Sequence, residues 1–206
     1  MFMLLPGYMV AIMILRIRAT VNSENTGYRK FLFSVQLGKG DSMLKFVHIY
    51  KNYFFGLSLI GILAFVIQEI PYIIMPLVKP ESNPIMNMQN ETKRIAIVQN
   101  IFGMLSMVLL MLLVRDDIPI FSISTAKERI FFALTICMIL INFIGWAFYY
   151  TGHQYGWLIV ISQFAVVPLY YLLFGLWKGN YPLVGTATIF FIIHTVNGYM
   201  NFIVKK

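Results

Sequence analysis

Five stretches of this sequence are too long and too apolar for an ordinary soluble fold: residues 53–78, 95–114, 130–150, 157–177 and 182–204. An α-helix needs about 20 predominantly apolar residues to cross a hydrocarbon core of about 30 Å. Spanning strands need only about 10 residues of alternating polarity, so continuous runs of this length exclude a β-barrel. The chain is therefore read as an all-α integral membrane protein, a polytopic helical bundle in which residues 1–206 form one transmembrane domain. A sixth run, 2–15, is shorter and contains Pro6 and Gly7. It lacks the basic start and small-residue cleavage site of a secretory signal peptide and is read as a first span. Six spans are thus expected, five of which meet the length criterion.

Composition agrees. Of 206 residues, 59% are hydrophobic and 12% charged, where a soluble domain has about 25% charged. Half the usual charge cannot coat a water-soluble globule. The net charge of +8 does not point to nucleic acid, because the basic residues flank apolar runs instead of forming one patch. Their natural place is at helix ends. The loop 16–52 carries Arg16, Arg18, Arg29, Lys30, Lys39, Lys45 and Lys51, and shares its side with Arg115, Lys127, Arg129 and Lys178. The other side receives Lys79, Lys93, Arg94, Lys205 and Lys206. This excess places the long basic loop in the cytoplasm, and a plasma membrane is the expected location. Trp146, Tyr149, Tyr150, Tyr155 and Trp157 at one boundary, with Trp177 and Tyr181 at the other, read as aromatic belts.

Ionisable groups inside a span are costly and need a reason. Glu69 lies in FVIQEIPYIIMPLV, on a face shared with Ser58, Gly61, Phe65 and Tyr72. Pro71 and Pro76 follow and predict a kink or break beside the acid. His194 lies midway along the last run, on a stripe with Ala187, Phe191, Asn197, Gly198 and Asn201. Milder stripes occupy the other spans: Gln99, Gly103 and Ser106; Thr135, Asn142 and Trp146; Gln163 and Tyr170. Small and amide residues at such spacing pack helices and bond them to one another. Because every long span carries an acid, amide or imidazole, the same residues can also line a polar interior.

Several chemistries find no support. Cys137 is the single cysteine, and His48, His153 and His194 show no ligand spacing, so neither a metal nor a cofactor is expected. Residues 38–42 (GKGDS) lack the frame of a phosphate loop. Ser58 and Ser106 lack the elbow and third group of a serine hydrolase. Asp116-Asp117 beside Arg115 reads as a solvated helix end, and residues 90–92 form a glycosylation triplet. The run 156–180, with Pro168, Tyr170-Tyr171 and Trp177-Lys178-Gly179-Asn180, has the look of a signature.

The expected function is to bind or translocate a small solute or lipid at a central polar site. Glu69 and His194 would be its active members, lined by Gln68, Gln99, Asn100, Asn142, Gln163 and Asn197. Two rivals are a non-catalytic subunit or scaffold acting through a membrane-protein partner or a second copy, and an intramembrane lipid-modifying enzyme. The second would need a nucleophile–base pair or paired acids that the sequence does not display.

Overall fold

The computed structural model describes residues 36–37, 43–80, 82–88 and 93–204. The candidate span 2–15, the basic residues from Arg16 to Lys39, the segment 38–42, and the triplet 90–92 lie outside them. The described residues are mostly helical, and among them five helices are long and apolar enough to cross a membrane: α1 Leu59–Val78, α2 Lys93–Leu112, α3 Ala126–Tyr150, α4 Gly156–Trp177 and α5 Tyr181–Val204. Their outward faces are apolar, with Leu63, Ile73, Ile101, Ile144 and Ile192 exposed, while amides and hydroxyls are buried between them. A soluble protein distributes these residues the other way round. The pattern fits a multi-pass membrane protein.

The expectation of an all-helical chain is corrected at one end of the bundle. Strands β1 Gln36–Leu37, β2 Met43–Tyr50, β3 Tyr53–Ser58 and β4 Leu113–Arg115 form an antiparallel sheet in the order β1-β2-β3-β4. Two expected span ends, 53–58 and 113–114, therefore belong to strands, and part of the basic loop is a hairpin. The physical reason is local. Tyr53–Ser58 is aromatic-rich and suited to a pleated surface. It pairs with β2 from Tyr50↔Tyr53 to Met43↔Ser58 and with β4 from Tyr53↔Arg115 to Phe55↔Leu113. Ser58 then caps α1, its hydroxyl accepting the Gly61 N–H at 3.1 Å. Ser58 is thus a cap, not a member of the helical face assigned to it from sequence.

The other helix starts have equally local causes. Thr125 and Glu128 form a reciprocal capping box at α3, satisfying two orphan N–H groups. Asn180 caps α5 by accepting the Leu183 N–H at 3.1 Å, and Pro182 sits where a missing N–H is harmless. Helix α1 runs unbroken through Pro71 and Pro76, so the break expected beside Glu69 does not occur.

Helix α4 is the centre of the bundle: 67% of its apolar window is buried, against 28–33% in the other four. Its distinctive residues are tethers. Tyr170 donates to the Ala64 carbonyl at 3.0 Å and Tyr171 to Gln68 Oε1 at 2.6 Å. Trp177 Nε1 donates to the Ser122 carbonyl at 2.7 Å. In the turn after it, Gly179 takes φ +59° and its carbonyl accepts from both Tyr53 Oη and Arg115 Nη1. The signature run thus ties α4 to α1, to the sheet and to the segment before α3.

Candidate functional site

The polar interior is organised by a fault in α4. Residues Val160–Ala165 are π-helical, and the N–H of Val166 donates to the Ile161 carbonyl five residues back. Pro168 explains why the fault lies here: its ring cannot accept the carbonyl four residues earlier, and a wider turn relieves the clash. The Ser162 carbonyl loses the Val166 N–H that an α-helix would give it. Asn142 of α3 supplies a donor instead, its Nδ2 lying 2.9 Å away.

Two glycines let neighbouring helices close on the fault. A Cβ at Gly145 would stand 2.1 Å from the Ser162 side chain, and one at Gly198 would stand 2.5 Å from the Phe164 ring. Only hydrogen fits at either position, as in close-packed membrane helices.

A chain of contacts then carries polar groups from helix to helix. On α1, the Tyr72 ring meets Trp146 edge-on at 4.8 Å. Trp146 is one turn from Asn142, which reaches Ser162, next to Gln163 and Phe164. Phe164 and Phe190 flank the His194 imidazole at 4.6 and 4.8 Å. One turn on, Asn197 donates to Gln99 Oε1 of α2 at 3.0 Å and accepts from Asn201.

Of the eight residues expected to form a site, Gln68, Gln99, Asn142, Gln163, His194 and Asn197 are buried. Glu69 is half-buried, and no ion pair engages it among the described residues. No hydrogen bond or ion pair joins it to His194. Asn100 is corrected outright: it is exposed. Consecutive residues on a helix point about 100° apart, so Gln99 and Asn100 cannot both face inward.

The buried amides divide into two kinds. Gln68 and Gln99 each accept a hydrogen bond at the side-chain oxygen, and Asn197 bonds Gln99 and Asn201. Other buried atoms have no partner among the described residues: both ends of the Gln163 amide, Asn142 Oδ1, His194 Nδ1, Trp146 Nε1 and Thr195 Oγ1. Trp146 and Thr195 were not among the residues expected from sequence to form a site. Trp146 read as part of an aromatic belt, yet it is 1% exposed, and Tyr149 and Trp177 are also interior. Only Tyr155, Trp157 and Tyr181 of that group are more than half exposed.

The serines are engaged elsewhere. Ser106 donates to the Phe102 carbonyl and lies 3.1 Å from Thr186. Asp116 and Asp117 are paired with Lys45 and Arg115. Arg115 holds the Asp117 carboxyl below its ordinary range through their hydrogen bonds.

Compared with protein-family models, with curated proteins and with solved structures, the chain matches none.

Proposed function

We propose that the protein binds a small polar solute or a lipid headgroup at the belt around the π-helical segment, and translocates it across a plasma-type membrane. In this reading the basic loop 16–52 faces the cytoplasm. One observation carries it: α3, α4 and α5 bury polar atoms of Asn142, Trp146, Gln163, His194 and Thr195 that no described residue satisfies. Each such atom costs about 1–3 kcal/mol. A bound molecule with several donors and acceptors offsets that cost.

The chemistry of the set favours an uncharged ligand. Gln163 offers a donor and an acceptor side by side, Asn142 an acceptor and Trp146 a donor, with the hydroxyl of Thr195 and the imidazole of His194 able to serve as either. Among the described residues no lysine or arginine is part of this set, and an unpaired charge in a span is expensive. Hydroxyl- or amide-bearing molecules suit such a site. Glu69, one turn before Tyr72, stands beside the belt as its acid.

Stopped-flow light scattering of proteoliposomes challenged with glycerol or urea tests the reading. We expect flux above that of empty liposomes, and its loss in Gln163→Leu and His194→Ala. A correctly folded Glu69→Gln should be impaired as well. Wild-type flux in both Glu69→Gln and His194→Ala would dismiss the central site.

A further inference from the structure

A second polar place lies at the sheet-bearing end of the bundle, apart from the belt. A crevice of about 20 Å³ opens there, lined by Ser58, Val114, Arg115, Phe174, Lys178 and Asn180. It has room for about one water-sized group.

The charges around it do not balance locally. Lys45 is paired with Asp116, and Arg115 holds Asp117 through two nitrogens. Lys178 is 8% exposed, yet among the described residues no carboxylate comes within 4.0 Å of its ammonium. Two of its protons go to the Pro119 and Ile120 carbonyls at 2.5 and 2.8 Å. The third has no oxygen acceptor among the described residues, and the ammonium stands 5.2 Å from the centre of the Trp177 ring. Glu128 acts on it only through space, its Oε2 being held by Ser122 Oγ and the N–H groups of Ser124 and Thr125. A buried cation with no counter-charge in contact is costly. Beside it, the buried Ser58 hydroxyl accepts from Gly61 and keeps its own proton to give.

We propose that this crevice takes an oxygen of a phosphate group, that of an anionic phospholipid headgroup, with Lys178 as its counter-charge and Ser58 as a second donor. The size admits one oxygen and leaves the rest of the headgroup at the mouth. The place is right for a lipid: α4 ends at Trp177 and α5 begins at Tyr181, which is 57% exposed, the level at which headgroups lie. The inference does not depend on the belt or on its ligand.

The full chain in maltoside detergent can be titrated with phosphatidylglycerol, with galactosyl diacylglycerol of the same chain length, or with inorganic phosphate, following thermal unfolding. We expect a saturable rise in Tm with phosphatidylglycerol alone, kept in Lys45→Gln and Lys178→Arg and about tenfold weaker in apparent affinity in Lys178→Gln. Equal responses to the two lipids, or unaltered affinity in Lys178→Gln, would overturn the proposal. A response to inorganic phosphate without one to phosphatidylglycerol would keep the phosphate site and overturn the lipid as its source.

Should Lys178→Gln not fold, the wild type decides. Burial lowers the Lys178 ammonium to about 8, so it discharges between pH 7 and 9. The Asp117 and Glu128 carboxyls, held below their ordinary range by hydrogen bonds, and the Arg115 guanidinium, held above its own, keep their charge there; Lys45 and Asp116 are paired with each other. Phosphatidylglycerol affinity should then fall about tenfold, and a flat profile would refute the role of Lys178.

Discussion

Asn142 Nδ2 donates to the Ser162 carbonyl at 2.9 Å, and through that bond α3 supports the fault in α4. The amide has a partner at its nitrogen and none among the described residues at its oxygen. One side chain thus serves both the packing of the bundle and the belt. Asn142→Leu should remove the bond and leave a buried carbonyl short of a donor. We expect a loss of about 1 kcal/mol, measured by reversible unfolding in mixed micelles. Unaltered stability would mean that the Ser162 carbonyl finds another donor.

Gly145 faces the same serine. An alanine there would place its Cβ 2.1 Å from the Ser162 side chain, forcing α3 and α4 apart at the belt. Overpacking of this kind costs about 1–3 kcal/mol. Ser162→Gly in the same protein should recover part of the loss, since it removes the opposing Cβ. A double variant no more stable than Gly145→Ala would place the strain elsewhere.

At the other end, Gly179 combines φ +59° with close approach to Arg115, whose Nη1 would lie 2.3 Å from an added Cβ. Gly179→Ala should lose about 1–2 kcal/mol from backbone strain and the displaced guanidinium. Unfolding should also lose its sensitivity to Arg115→Ala, because the contact would already be broken. An additive double variant would contradict that coupling.

Lys178 gives a pH signature. Its native value, lowered by burial to about 8, lies below the unfolded value of about 10.4. Between these limits the unfolded chain binds more protons, so stability rises with pH. In lipid-free detergent we expect a gain of up to about 3 kcal/mol from pH 8 to about pH 10, absent in Lys178→Met. Stability that falls over this window in wild type alone would contradict the uncompensated burial of the ammonium.

Much of the bundle was legible because hydropathy reports the core of each span directly. The stripes Gln99–Gly103–Ser106 and Thr135–Asn142–Trp146 are buried as their spacing implied. Hydropathy could not separate Tyr53–Ser58 from α1, since an aromatic strand and a helix look alike in a short apolar run. The π segment was illegible too: Pro168 announces a perturbation, but its form depends on Asn142 and Gly145 pressing from α3. Asn100 turns outward because it follows the buried Gln99 by about 100° on the helix. The run Trp177-Lys178-Gly179-Asn180 drew attention as a pattern, but its partners at Tyr53, Leu109, Arg115 and Pro119 are remote in sequence and appear only in the fold.

Native mass spectrometry of the full chain, released from nanodiscs of its source membrane, would show whether the belt around the π segment holds a polar molecule. We expect wild type to carry a small neutral adduct that survives gentle activation. Gln163→Leu, of equal helical content and similar Tm, should lack it. A wild type with no adduct, or an adduct retained unchanged in Gln163→Leu, would contradict a binding site at the belt.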